Sequence, residues 1–136
     1  MAQLESVRAF KNELRNYNYY LHRIVTLNNS IEYCYERLGG VRGIDPSREP
    51  THSQPNKELE YKLRDDIEVY RAKLKRIEEK IEDIDEILNK IDIDSRKAIK
   101  SVYIEGKQMR RVAMEMYISH GGLQKRIDKA IKGALD

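Results

Sequence analysis

Tryptophan is absent from this chain, phenylalanine occurs once and cysteine once, and there are only three prolines and seven glycines in 136 residues. A β-sandwich or barrel draws on β-branched and aromatic residues and on glycine-rich turns, so this composition is a poor match to either. Cys34 has no partner within the chain, which excludes a disulfide scaffold. No apolar run reaches the roughly 18 residues needed to span a bilayer, so no membrane segment is expected. Met1–Ala2–Gln3 runs straight into a charged amphipathic pattern, without the basic and apolar regions of a signal peptide. The expectation is a cytoplasmic protein.

What is present is charge, at 36% of residues, mixed with Ile and Leu. Helices with narrow apolar stripes have that composition. The charge is unevenly divided. Residues 1–56 carry a net +1, residues 57–94 a net −4 and residues 95–136 a net +6. A basic C-terminal unit on an acidic stalk suits a polyanion such as nucleic acid, or else simply solvates a surface.

In the first segment Val7, Phe10, Leu14, Tyr17, Leu21, Ile24, Ile31, Tyr35 and Leu38 alternate spacings of three and four, with Asn28 in the one slot that breaks the run. The spacing predicts a helix over about 3–38, ended by Gly39–Gly40. A loop over 39–56, with Pro46, Pro50 and Pro55, follows. Leu63, Ile67, Tyr70, Leu74, Ile77, Ile81, Ile84, Leu88 and Ile91 then keep a 4-3 alternation without interruption, predicting a second helix over about 57–91.

At about 35 residues each helix is roughly 50 Å long. Lys73 with Glu78, and Lys80 with Asp85, stand where they would bridge parallel copies, whereas Ile77, Ile84 and Ile91 favour higher states. The preferred reading is a long antiparallel helical hairpin within one chain, a coiled-coil-like stalk over 1–94. Tyr20, Leu27 and Ile87 remain as apolar positions for self-association, so a homo-oligomer is expected, a dimer by preference.

After Ile91 the heptad breaks, and Asp94 or Ser95 is the expected cap of a new helix. Ala98, Ile99, Val102 and Tyr103 make a short amphipathic helix that Gly106 ends. A second runs from about Lys107 to Met116, with Met109, Val112, Ala113 and Met116 on one face. Tyr117–Ile118 turn the chain, Ser119 caps a third helix, and Leu123, Ile127, Ala130, Ile131 and Ala134 form its buried stripe. Ala113 allows close helix crossing, and Ile118 places an apolar side chain in the angle. Three short helices with a tight turn before the last form a helix-turn-helix head over 95–136. The fold class expected is therefore all-α.

The face of the third helix opposite Leu123 and Ile127 presents Gly121, Lys125, Lys129 and Lys132, with Gln124 and Arg126 beside them and Asp128 only at the edge. Small or polar residues near the N-terminus suit base edges, and cations farther along suit phosphates. Gln124 matches adenine, Lys125 guanine. Arg110 and Arg111 on the preceding helix are phosphate candidates. Gly121–Gly122 open a helix at a cost of roughly 1 kcal/mol each relative to alanine in an interior. They either let a phosphate approach Ser119 and the free N–H groups or are merely cheap in a first turn. His120 is an exposed turn residue or a base contact.

In these residues, Ile118-Ser119-x-Gly121-x-Leu123-x-Lys125-Arg126-Ile127-x-Lys129-Ala130 through Leu135, the chain resembles the last helix-turn-helix of bacterial sigma factors, their region 4. Tyr103-Ile104-Glu105-Gly106-Lys107 and Val112-Ala113-x-x-Met116 fit that motif's first two helices. The whole layout is similar to small phage regulators of the RinA and ArpU type. The resemblance implies a late-gene transcription activator of a phage or prophage of a Gram-positive host, binding promoter DNA and touching RNA polymerase. Sigma-like heads cap the second helix with Ser or Thr, where Lys107–Gln108 stand here. The sigma-factor regions that open promoters have no counterpart.

Two other readings stay open. Small terminase subunits also join a helix-turn-helix to a helical hairpin, with the head first. An adaptor would contact RNA polymerase without DNA. An enzyme is not expected, nor a cofactor or metal: there is no glycine-rich phosphate loop, and His22, His52 and His120 lie far apart. Cys34, beside the helix seam, reads as partly buried rather than nucleophilic.

Overall fold

The structure, a computed structural model, describes residues 6–42 and 57–136. The start of the first expected helix and most of the expected loop, including His52, lie outside these residues. The architecture is all-α: α1 (Val7–Arg15), α2 (Tyr17–Arg42), α3 (Lys57–Asn89), α4 (Ile93–Ile99), a π-helical segment (Lys100–Ile104), α5 (Met109–Glu115) and α6 (His120–Leu135). None of these helices is long and apolar enough to cross a membrane.

The chain forms two compact units, and they do not divide at residue 94. One unit comprises residues 1–20 together with 79–136, the other residues 21–78. The first expected helix is accordingly not one rod. Ser6 caps α1, its hydroxyl accepting from the Ala9 amide at 3.0 Å, and Asn16 interrupts the helix before α2 resumes. Phe10 and Leu14 are fully buried within the first unit, where α1 packs against the π-helical segment and α6.

In the second unit Cys34 and Leu38 of α2 pack with Leu63 and Ile67 of α3, flanked by Ile31, Leu59 and Tyr70. The end of α2 thus meets the start of α3, the order an antiparallel pair requires. Arg71 donates to the Tyr35 hydroxyl and lies 5.5 Å from its ring centroid. Burial pushes the Cys34 thiol above its ordinary range. Gly39–Gly40 do not end α2, which runs on to Arg42.

The buried stripe of α2 corrects the expected register. Tyr20, Leu27, Cys34 and Leu38 are buried, with Ile24 and Ile31 partly so, whereas Leu21 and Tyr35 are exposed. This frame keeps the 4-3 alternation and leaves Asn28 in solvent, so no polar residue interrupts it. Tyr20, Leu27 and Ile87, expected as free contacts for a second copy, are 7%, 1% and 7% exposed in the single chain. Lys80 lies over the Tyr20 ring at 5.2 Å, and Asp85 accepts from the Tyr17 hydroxyl at 2.9 Å. Lys80 and Asp85, one of the two pairs expected to bridge copies, thus have partners inside the chain.

The remaining helices of the first unit are set by local chemistry. Asp92, not Asp94 or Ser95, caps α4, its carboxylate accepting from the Ser95 amide at 3.0 Å. The Arg96 guanidinium donates to the Ile91 and Asn89 carbonyls, satisfying the end of α3. After Ile99 the helix widens into the π turn, closed by Glu105 N–H on the Lys100 carbonyl at 2.9 Å. Gly106 then takes φ +77°, which only glycine adopts cheaply, and ends the element as expected.

Tyr117 is the other left-handed residue, at φ 60°, and it is 95% exposed. It closes α5 in a Schellman arrangement. The Ile118 amide donates to the Ala113 carbonyl at 3.0 Å and the Tyr117 amide to that of Met114 at 3.1 Å. An L-residue pays strain there, on the order of 1 kcal/mol, and an exposed ring returns no packing. Tyr117→Gly is expected to raise stability by about 1 kcal/mol, measured as a higher denaturant midpoint at unchanged slope. A lower midpoint would show that the ring carries packing after all.

Candidate nucleic-acid interface

The face under consideration is built by α5, the turn and α6, all within the first unit. Val112 and Ala113 of α5 are buried against the body of the unit, and Ile118 is half-buried at the turn. Leu123, Ile127 and Ile131 are fully buried and Ala134 nearly so. These four lie on one side of α6, which fixes its rotation and turns the opposite side to solvent. The expected helix from Lys107 starts two residues later at Met109, and Gln108 at its cap position makes no side-chain cap hydrogen bond.

Ser119 caps α6 as expected, its hydroxyl accepting from the Gly122 amide at 2.9 Å. The two glycines then differ. A Cβ on Gly122 would stand 2.9 Å from the Ser119 hydroxyl oxygen, which would have to shift. A Cβ on Gly121 would meet nothing within 4 Å, and its backbone is ordinary. Nothing in the fold requires glycine at 121.

His120, Gly121, Gln124 and Lys125 are exposed together on the first turns of α6, and Arg110 is exposed on α5. Arg111 is exposed as well, 3.6 Å from Glu115, both side chains more than half in solvent. Such a pair contributes little and leaves the guanidinium available to another anion.

Arg126 stands apart from its expected role. Its Nε donates to the Ser95 hydroxyl at 2.9 Å and its Nη2 to the Asp92 carboxylate at 3.3 Å. The side chain therefore ties α6 to the cap of α4. The Ser95 amide and hydroxyl, and then Arg126, hold the Asp92 carboxyl below its usual range. Arg126 is thus held by α4 while its side chain stays exposed.

Lys129 and Lys132 are exposed, but not on a bare surface. They line an open cleft of about 670 Å³ whose other wall is α1, through Val7, Arg8, Lys11, Asn12 and Arg15, with Asp128 on the α6 side. Lys11 donates to Asp128 and lies 5.6 Å from the Tyr103 ring centroid, and Arg15 lies 5.3 Å from the same ring. Burial alone would lower the Lys11 ammonium. The Asp128 bond and the electrostatic pull of Tyr103 and Asp128 outweigh it, leaving the ammonium above its ordinary range. The three cations of α1 were assigned to the stalk by periodicity. Their own spacing, Arg8, Lys11 and Arg15 on the side away from Phe10 and Leu14, was the signal that could have identified a basic face.

Among the described residues no group of three or more His, Cys, Asp or Glu side chains is placed to hold a metal ion. No protein-family model, curated protein or solved structure matches the chain.

Proposed function

We propose that this chain binds double-stranded DNA through α5 and α6 and regulates transcription. The observation that carries the reading is the open N-terminal half of α6. It presents Gly121, Gln124 and Lys125 without an acidic residue among them, on a helix whose rotation is set by a fully buried opposite side. Side chains of that kind at the start of a helix suit base edges in a major groove, and Arg110 and Arg111 on α5 suit the flanking phosphates. The resemblance to sigma region 4 and to RinA- and ArpU-type regulators supports the narrower role, a late-gene activator of a phage or prophage working in the host cytoplasm. Activation then needs no catalysis. A head on the promoter and a second contact with RNA polymerase raise the local concentration of polymerase.

Gly121 makes the reading testable. With open space around it, Gly121→Ala is expected to stabilise the chain by up to about 1 kcal/mol through helix propensity. If a duplex approaches the backbone there, the same variant binds DNA more weakly. The measurement pairs a thermal melt with a fluorescence titration of the full chain onto labelled duplexes at two salt concentrations, affinity falling steeply as salt rises. A variant that is more stable and binds as well as the parent, or a parent indifferent to duplex DNA, would overturn the proposal.

A further inference from the structure

We propose that the cleft between α1 and α6 is a second DNA contact, a seat for the sugar–phosphate backbone beside the groove that α6 reads. The inference rests on the DNA-binding reading above and extends it to the N-terminal helix.

The cleft gathers five cationic side chains, Arg8, Lys11, Arg15, Lys129 and Lys132, and one carboxylate, Asp128. Lys11 already neutralises Asp128. Arg15 is held by the Asn12 amide oxygen at 3.0 Å and by the Tyr103 ring, so its position is set while its charge remains unneutralised. Arg8, Lys129 and Lys132 are exposed and make no ion pair among the described residues. A folded protein that brings four unneutralised cations together across two helices incurs mutual repulsion, which a bound polyanion removes. The site is an open trough rather than a closed pocket, a shape that suits a chain of phosphates.

Position favours the same ligand. Lys132 lies seven residues beyond Lys125, about 10 Å farther along the helix axis at 1.5 Å per residue. The major groove is about 12 Å wide. A helix with Lys125 over base edges therefore carries Lys129 and Lys132 out to the groove's rim, where the backbone runs. There α1 adds Arg8 and Arg15 from the other wall.

The test uses the full chain and the double variant Arg8→Ala/Lys132→Ala. Both side chains are exposed and make no ion pair among the described residues, so an unchanged melting temperature is expected and serves as the folding control. Binding to a panel of labelled duplexes is titrated from low to moderate salt. Two lost phosphate contacts should make the slope of log affinity against log salt shallower by about 1.8 units. All duplexes should weaken together, with their rank order kept. A parent that binds duplexes while the double variant keeps both slope and affinity overturns the cleft and leaves the α6 reading in place. A parent that binds no duplex overturns both.

Discussion

Replacing Phe10 by alanine is expected to destabilise the unit that contains the C-terminal helices by about 3–5 kcal/mol, the usual cost of emptying a fully buried phenylalanine site. Domains of this size hold only about 5–15 kcal/mol in total, so the loss is a large share of the whole. Phe10 is 0% exposed, and α1 packs against the π-helical segment and α6 rather than standing on a separate stalk. Hydrogen exchange is the decisive readout. The amides of α6 around Ile127 should lose protection in Phe10→Ala, although more than a hundred residues separate them along the chain. Full protection there, with loss confined to residues near Phe10, would show that α1 is not part of that core. The same packing implies that a fragment cut at residue 95 lacks a wall of its own core, so binding experiments belong on the intact chain.

The second large effect concerns recognition. Lys125→Ala should cost about 1–3 kcal/mol on the preferred sequence if its ammonium reads a base, which is roughly a 5- to 150-fold loss of affinity. Unrelated duplexes should lose much less. Arg111→Ala should instead weaken all duplexes alike, because a phosphate carries no sequence information. Its exposed pairing with Glu115 is no obstacle, since exchanging a weak solvent-exposed partner for a phosphate costs little. A binding-site selection with both variants separates the roles. Equal losses across all duplexes for Lys125→Ala would remove it from base reading, and unequal losses for Arg111→Ala would contradict its assignment to phosphate.

The two arginine and lysine sets show where residue patterns are informative and where they stop. Lys125 and Arg126 are neighbours in the chain, and helical periodicity places both near the outer face of α6. Yet Lys125 is exposed and has no partner among the described residues, while Arg126 is held by Ser95 and Asp92. A long flexible side chain at the edge of a face goes to whichever partner the next helix presents, and that partner lies thirty-one residues upstream at Ser95. For α2 the expected frame was the one broken by Asn28, and the buried stripe runs through Tyr20, Leu27, Cys34 and Leu38 instead. Burial in this frame avoids desolvating the Asn28 amide, and the one polar group it brings in, the Tyr20 hydroxyl, donates to Glu13 at 2.6 Å.

What the amino-acid order determined by itself was local: the all-α class, the second long helix (expected over about 57–91, observed over Lys57–Asn89), the stop at Gly106, the cap at Ser119 and the apolar stripe of α6. Each of these depends on interactions within one or two helical turns, which spacing and residue type describe fully. Tertiary structure alone decided that α1 belongs with the C-terminal helices, that Arg126 is held by Ser95 and Asp92, and that Arg8, Lys11 and Arg15 meet Lys129 and Lys132 across a cleft. Those outcomes depend on which apolar faces find each other over a hundred residues of chain, and an amphipathic stripe states that a helix needs a partner without stating which one.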